Sequence, residues 1–371
     1  MAVIKKHIYF LMFLSLSLAI NAAEIYSAIP DYSLETLSPS SIVPADMDND
    51  GRNDLIVSFP VDDKKYKIAI FYNLNGTFEK VAGVEIKSNF NYPVKLAIGD
   101  FDNDGKNDIA ANENKTLHLL LGRDNFQNDI SKYNTNNISA FIYPAKITST
   151  GKYDFISSGV IRKWVQNDKL TDGYISPPDK QSANILCIPS DLNNDGNTDI
   201  IALPQKENQI RLYYGPFISI NIKPMDAAKF RILNFEKPKY VVAGHLNSDI
   251  NPDIAVSSKE TTGIFYQARP IDFPEDIPSV TIDGGGPLLM ADFNGDKKDD
   301  LAILSLKKNK IFIFLQKDNE FFSEKSAEAD CIIPCKKASS FCACDINGDN
   351  HTDLIVNDGV SKISIYLNKN K

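Results

Sequence analysis

One nine-residue acidic pattern recurs along the chain, and its spacing could coordinate a hard metal ion. The pattern reads D-x-D/N-x-D-x-x-x-D, and apolar residues follow it directly. Five copies keep an oxygen-bearing side chain at all four positions: DMDNDGRND (46–54), DFDNDGKND (100–108), DLNNDGNTD (191–199), DFNGDKKDD (292–300) and DINGDNHTD (345–353). Calcium takes six to eight oxygen ligands, which acidic residues at alternate loop positions can supply. We therefore predict one calcium site in each of these five loops.

The predicted ligands are the side chains at positions 1, 3, 5 and 9 of each loop and the backbone carbonyl at position 7. Carboxylates held this close repel one another unless a cation neutralises them, so the sites are predicted to be structural. The alternative is that Asp, Asn and Gly only cap tight turns. In chain order the predicted ligands are Asp46, Asp48, Asp50, Arg52, Asp54; Asp100, Asp102, Asp104, Lys106, Asp108; Asp191, Asn193, Asp195, Asn197, Asp199; Asp292, Asn294, Asp296, Lys298, Asp300; and Asp345, Asn347, Asp349, His351, Asp353.

Two further copies of the pattern are degenerate. HLNSDINPD (245–253) has His245 at the leading position, and KITSTGKYD (146–154) has lost the acidic residues at its first three ligand positions. We expect both loops to be empty or to bind weakly. Lys297 replaces glycine at position 6 of the loop at 292–300, which is a mild departure because that position needs a permissive backbone.

The seven copies predict the fold, because they recur at start-to-start distances of 54, 46, 45, 54, 47 and 53 residues. In each repeat an apolar stretch precedes the acidic loop, and a second apolar stretch, an alternating third and a looser fourth follow it. Alternation with period two, bounded by Gly, Asn, Asp and Pro, is typical of strands. Four strands in each repeat of this length predict an all-β fold, a seven-bladed β-propeller with four-stranded blades.

The last repeat predicts how the ring closes. Only two apolar segments, DLIVN and KISIYLNKN, follow the seventh acidic loop, so the last blade lacks its outermost strand. The segment before the first loop has no blade of its own. We expect residues 24–36 to supply the missing edge strand, which removes an unpaired edge.

At these residues the sequence resembles the FG-GAP/VCBS repeat family, which includes the propeller of integrin alpha subunits and many bacterial exported proteins. The motif DFDNDGKNDIA (100–110) is close to the family consensus, and the resemblance covers nearly all of the chain after its N-terminal segment. The resemblance implies a seven-bladed propeller with calcium in loops between the first and second strands of a blade. It also implies that some loops stay unloaded and that partners meet the face opposite the calcium loops.

The N-terminal segment is typical of a secretory signal peptide. Lys5, Lys6 and His7 precede the apolar run 8–20, and small residues follow it at 22–23. We predict a signal peptide at 1–23 and a single propeller domain at 24–371 that is secreted, periplasmic or on the cell surface. The apolar run is too short to span a bilayer, and we expect no membrane span after its removal. A net charge of −8 argues against a nucleic-acid partner.

The five cysteines are compatible with local disulfides in an exported protein. Cys331, Cys335, Cys342 and Cys344 cluster near the C-terminus, where one or two bridges are plausible, whereas Cys187 lies in an apolar stretch typical of a buried thiol. The cluster includes no suitably spaced histidine, which argues against zinc.

The sequence favours a non-catalytic binding or adhesion module whose partner is a protein or a glycan. Candidate contact loops are 59–67, 176–184, 203–208 and 282–287. One alternative is a polysaccharide lyase or glycosidase built on the propeller, although every recurring carboxylate is assigned to calcium and no catalytic motif is present. Another alternative is a structural component of an envelope complex. We predict no catalytic residues and no organic cofactor.

Overall fold

The computed structural model describes residues 25–27, 30–35, 38–62, 65–78, 83–114, 116–126, 133–134, 142–147, 153–157, 160–165, 169–174, 185–204, 207–217, 229–317 and 328–370. These residues form 28 β-strands and one short 3-10 turn, Gly122–Asp124. The predicted signal peptide lies outside them. No helix within the described ranges is both long and apolar enough to cross a membrane.

The strands form seven four-stranded antiparallel sheets, which we number as blades in chain order. Blade 1 comprises β2 (Ser41–Ala45), β3 (Asp54–Asp62), β4 (Lys65–Phe71) and β5 (Val84–Phe90), and blade 2 comprises β6 (Val94–Gly99), β7 (Asp108–Glu113), β8 (Thr116–Leu120) and β9 (Tyr133–Asn134). Blade 3 comprises β10 (Tyr143–Ala145), β11 (Asp154–Ser157), β12 (Val160–Val165) and β13 (Lys169–Tyr174), and blade 4 comprises β14 (Ile185–Ser190), β15 (Asp199–Pro204), β16 (Gln209–Tyr214) and β17 (Lys229–Asn234). Blade 5 comprises β18 (Tyr240–Gly244), β19 (Asp253–Ser257), β20 (Thr261–Phe265) and β21 (Val280–Asp283), and blade 6 comprises β22 (Leu288–Ala291), β23 (Asp300–Ser305), β24 (Lys310–Phe314) and β25 (Cys331–Pro334). Blade 7 comprises β26 (Ser340–Cys344), β27 (Asp353–Asn357), β28 (Lys362–Tyr366) and β1 (Tyr32–Glu35).

The first strand of each blade lies at the centre of the molecule. Each of these inner strands contacts the inner strand of the next blade, and β26 of the last blade contacts β2 of the first. The contacts therefore run once around a ring, which is the arrangement of a β-propeller. The predicted all-β propeller fold is confirmed.

Blade 7 is completed by residues from the other end of the chain. β1 pairs antiparallel with β28, with Tyr32 opposite Ile365 and Glu35 opposite Lys362. Just before β1, Ile25 is fully buried, and its carbonyl accepts a hydrogen bond from the backbone N–H of Lys369 at 2.8 Å. The expected closure by a strand within residues 24–36 is observed as β1, and Ile25 just before it packs against the segment that follows β28.

The hydrophobic core lies between adjacent blades and not at the centre of the ring. Every residue of β7, β15 and β23 is buried, because the second strand of a blade lies inside its sheet and both of its faces meet neighbouring blades. This explains the apolar runs at 200–203 and 301–304, which are typical of strands buried on both faces. Burial of apolar surface between the blades is the main force that holds the ring together.

The loops divide between two faces of the disc. The acidic loops join the first and second strands and lie on one face, which we call the acidic-loop face. The hairpins between second and third strands, and the connections from one blade to the next, lie on the other, which we call the opposite face. The described residues of three predicted contact loops, 59–67, 203–208 and 282–287, lie on the opposite face, and 176–184 lies outside the described residues.

The cysteines do not form the disulfides considered above, since all five are free thiols. Cys331 and Cys335 are four residues apart along an extended outer strand, about 13 Å, which is beyond disulfide reach. Cys342 and Cys344 lie two residues apart on β26, the innermost strand of the next blade. Burial raises the pKa of Cys331 to about 11 and that of Cys342 to about 12, so both thiols stay protonated at neutral pH.

Candidate metal centres in the acidic loops

The carboxylate at position 1 holds the turn of each of the five complete loops. One oxygen of Asp46 accepts a hydrogen bond from the backbone N–H of Asp50 at 3.1 Å, and the other accepts one from Gly51 at 2.8 Å. The same pair of bonds recurs in the other four complete loops at 2.7–3.2 Å. The predicted resemblance between the loops therefore extends to their backbone.

Two left-handed residues shape each of these turns. Positions 4 and 6 have positive φ in all five complete loops, as at Asn49 (61°) and Gly51 (85°). Asparagine and glycine adopt this conformation at little cost, which explains their recurrence. Lys297 adopts it at 67° in the loop of blade 6, and Asn350 does so at 65° in blade 7. A lysine therefore occupies a backbone position that suits glycine.

The first two loops gather three carboxylates each. Oxygen atoms of Asp46, Asp48 and Asp50 lie within 4.8 Å of one another in the first loop, and those of Asp100, Asp102 and Asp108 do so in the second. Clusters of this kind could hold a metal ion, because hard cations bind carboxylate oxygens at 2.3–2.6 Å.

Asp102 is the best-placed ligand in these clusters. Its side chain is only 4% exposed, and its Oδ1 is buried without a hydrogen-bond partner. Burial and the neighbouring carboxylate of Asp104 raise its pKa, and the guanidinium of Arg123, 2.7 Å from Oδ2, and a hydrogen bond from the backbone N–H of Asp104 oppose that rise. A buried oxygen without a partner is costly, and a cation between it and the carboxylates of Asp100 and Asp108 would satisfy it. The residues of this loop therefore fit a metal ion.

Three of the complete loops carry asparagine instead of aspartate at position 3, so they have one negative charge fewer at that position. In these loops the amide group of Asn193, Asn294 or Asn347 donates a hydrogen bond to the carboxylate at position 5, at 3.0–3.1 Å. The asparagine Oδ1 accepts the backbone N–H of position 5. The amide oxygens and carboxylates remain close together, as predicted, but no group of three carboxylates converges there among the described residues.

The aspartate at position 9 has a function that the sequence analysis missed. It is fully buried in all seven blades, at residues 54, 108, 154, 199, 253, 300 and 353. In blade 2, one oxygen of Asp108 accepts the backbone N–H of Phe101 at 2.8 Å, and the other accepts that of Gly122 at 2.8 Å. The side chain thus fastens the start of the acidic loop to the end of the third strand.

The same double acceptor recurs in blades 1, 4, 5, 6 and 7 at 2.7–3.0 Å. Desolvation raises the pKa of the position-9 carboxylates, to about 6 in Asp108, Asp199 and Asp353 and about 7 in Asp253 and Asp300. The sequence contains evidence for this role of position 9, because both degenerate loops also keep an aspartate there. Position 9 is therefore a blade clamp, whether or not it also faces a metal ion.

The degenerate loop of blade 5 has lost the turn that the complete loops share. None of its residues has a positive φ, and His245 accepts none of the backbone bonds that an aspartate makes at position 1. Instead, its backbone N–H donates to Asp299 of blade 6 at 2.8 Å. Most of the loop at 146–154 lies outside the described residues. The weak or absent metal binding of these two loops remains a prediction.

Neighbouring acidic loops are joined by side chains that the sequence analysis did not single out. Asn107 donates to the carbonyl of Asp46 in the preceding blade at 2.7 Å, and Asn53 donates to that of Asp345 at 3.2 Å. The amide of Asn73, after the third strand of blade 1, donates to the carbonyl of Ile346 at 2.7 Å. Hydrogen bonds therefore connect neighbouring acidic loops into a belt, and each loop helps to hold the adjacent loop in place.

A central channel opens on the opposite face. It measures about 760 Å³ and is lined by residues of the inner strands and their entry loops, mostly apolar, including Tyr143, Tyr240 and Phe341. Lys95 is the charged residue of this lining, and burial lowers its pKa. Cavities of this size and character are common ligand sites.

Comparison with solved structures supports the fold. The chain is similar to BBS1N in the crystal structure of its complex with ARL6DN soaked with lead, with 11% identity, a TM-score of 0.58 and coverage of 93% of this chain and 97% of that one. The mercury-soaked crystal of the same complex gives a TM-score of 0.55 at 11% identity, with 92% and 95% coverage. The biofilm matrix protein Bap1 of V. cholerae gives 0.48 at 9% identity, with 88% and 76% coverage. At these identities the likeness concerns the fold alone.

Comparison with known sequences identifies the repeat. No curated protein matches the chain. A family model described as FG-GAP-like repeat matches residues 46–111 and 292–356. These ranges contain the first, second, sixth and seventh acidic loops with the strands that flank them. The chain therefore carries FG-GAP-like repeats at these two ranges.

Proposed function

We propose that this protein is an exported calcium-binding propeller that acts as a non-catalytic binding or adhesion module. Calcium holds the five complete acidic loops, and a protein or glycan partner binds the opposite face. In this proposal residues 1–23 are the signal peptide, and 24–371 are one propeller domain in a secreted, periplasmic or surface location.

The observation that carries the metal proposal is the environment of Asp102. Its unpartnered oxygen is buried beside the carboxylates of Asp100 and Asp108, and one arginine accounts for only part of their charge. Bound calcium would supply the missing positive charge and accept the free lone pairs. The same loop backbone recurs in the other four complete loops, which supports calcium binding there as well. The stabilisation that calcium gives should differ from loop to loop.

Differences between the two faces of the disc support the proposal that a partner binds the opposite face. The acidic-loop face is engaged in the belt of loop-to-loop bonds, whereas the opposite face opens into the central channel. Hairpins there expose apolar side chains at their tips, including Val61, Leu306 and Val360, each more than 40% exposed. BBS1N, a propeller with the same fold, was crystallised in a complex with another protein, ARL6DN.

Three carboxylates of the opposite face are engaged in pairs that favour binding over catalysis. Glu113 lies 3.1 Å from His118 and also caps the backbone at residues 91–92. Glu207 pairs with Arg211, and Glu260 pairs with Lys307. The first two pairs each lie within one hairpin and the third joins the hairpins of blades 5 and 6, whereas a glycosidase needs two carboxyl groups on either side of a bound sugar.

The test of the metal proposal is a calcium titration followed by thermal unfolding. Calcium binds only the folded chain, so the melting temperature should rise with its concentration, and a site at one hundred times its Kd contributes about 2.7 kcal/mol. Asp102→Asn should reduce this rise, whereas Asp249→Asn, in the degenerate loop, should not. An unchanged melting temperature in wild-type protein would show that the loops are only hydrogen-bonded turns.

A further inference from the structure

A second cavity lies on the opposite face, between blades 5 and 6. It measures about 330 Å³ and is lined by Lys239, Lys259, Lys307 and Glu260 around the glycines at 285–286. Tyr240 borders both this cavity and the central channel, so the two lie side by side. The cavity therefore forms a side pocket of the channel, and we call it the lysine pocket.

The lysine pocket is positively charged in a protein of net charge −8. Its lining carries three lysines and one glutamate, a net charge of +2. Glu260 is engaged by Lys307 at 2.7 Å. Among the described residues no carboxylate lies within ion-pair distance of Lys239 or Lys259, so two ammonium groups are left for a ligand.

The floor of the pocket is backbone. Gly285 and Gly286 are buried, and a Cβ on them would lie 2.5 Å from the carbonyl oxygen of Ser258 and 2.1 Å from that of Leu304. The glycines are thus required because this connection passes between two hairpins. These glycines therefore contribute backbone and no side chain to the lining of the pocket.

We propose that the lysine pocket binds an acidic sugar residue, with the carboxylate of a uronate between Lys239 and Lys259. This inference deepens the proposed function, on which it rests, by naming a ligand class for the opposite face. Ammonium groups form strong charge-assisted hydrogen bonds with a carboxylate. The peptide floor and the tyrosine suit a polyhydroxylated ring, and an aspartate or glutamate side chain alone would leave most of the cavity unfilled. The adjoining channel gives the next sugar residues room.

The experiment is a calorimetric titration of the calcium-loaded full chain with tetragalacturonate. The methyl ester of the same oligomer keeps the sugar rings and removes the charge, and tetraglutamate supplies charge without sugar. We expect binding of the acid, at least about tenfold weaker binding of the ester, and weaker binding of the peptide, since a hydrogen bond to a charged group contributes about a factor of ten or more.

The variant Lys239→Gln/Lys259→Gln should weaken tetragalacturonate binding at least about tenfold. Lys310→Gln/Lys336→Gln removes the same charge from exposed sites outside the pocket and should bind as the wild type does. Equal binding of acid and ester, no binding of the acid, tighter binding of tetraglutamate, or an unaffected double variant would each overturn the inference. Calcium-dependent stability, or binding of a neutral glycan or a protein that the double variant retains, would leave the proposed function in place.

Discussion

The position-9 aspartate offers a sharp test, because its clamp can be separated from metal binding. Asp253 belongs to the degenerate loop of blade 5, is fully buried and accepts the backbone N–H groups of Leu246 at 3.0 Å and Gln267 at 2.9 Å. Asp253→Ala leaves two buried donors without an acceptor. Each costs about 1–3 kcal/mol, so the free energy of unfolding should fall by about 2–6 kcal/mol.

The assay is urea denaturation, run in chelator and again with calcium. Because the blade 5 loop is predicted not to bind metal, Asp253→Ala should cost the same free energy under both conditions. Asp108→Ala, in the best candidate site, should cost a similar amount in chelator and about 2–3 kcal/mol more with saturating calcium. Asp249→Ala is the matched control, because that exposed side chain accepts only one local bond, from Asn251.

Two results would refute this reasoning. If Asp253→Ala unfolds at the wild-type urea concentration in chelator, the two hydrogen bonds do not stabilise the blade. If calcium increases the cost of Asp253→Ala as much as that of Asp108→Ala, the degenerate loop binds metal, and the distinction drawn between the loops is wrong.

Three further predictions follow from the same loops. Lys297→Gly should raise the free energy of unfolding by about 1 kcal/mol, because glycine adopts the positive φ there without strain; Lys297→Ala should not, and equal urea midpoints for both would contradict this. Asn73→Ala should lower it by about 1–3 kcal/mol, because it removes the donor to the carbonyls of Ile346 and Asn53 and the acceptor of the Gly76 N–H, and a wild-type midpoint would show that these bonds add no stability. In chelator, stability should fall as pH rises from about 4 to about 7: burial raises the pKa of Asp300 from its ordinary value of 3.8 to about 7, so the folded chain holds a proton that the unfolded chain has released. Urea midpoints that rise over this range would disagree.

The strand order and the acidic loops could be predicted because their signals are local. Alternation and the repeat period identify four strands per blade, and the missing strand after KISIYLNKN identifies β1 as its replacement. The disulfide expectation failed for a related reason. Closeness in sequence suggested bridges, but the fold separates Cys331 and Cys342 onto the outermost and innermost strands of neighbouring blades.

The rest of the site depends on contacts between distant segments. The second bond of Asp108 goes to Gly122, and the amide of Asn73 reaches Ile346 across the closing junction of the ring. The lysine pocket likewise combines the connection after β17, a hairpin tip of blade 5 and one of blade 6. No spacing in the sequence brings these residues together, because their proximity follows only from the ring.

The pairing of β1 with β28 has a consequence for biosynthesis. The Asp31 carboxylate accepts a hydrogen bond from the backbone N–H of Leu367, a residue 336 positions later in the chain. β1 therefore has no partner until β28 has emerged, and an exposed strand edge is prone to wrong pairing during that interval. A nascent chain halted before β28 cannot close the ring, so β1 should remain accessible to proteases and chaperones until β28 has been made.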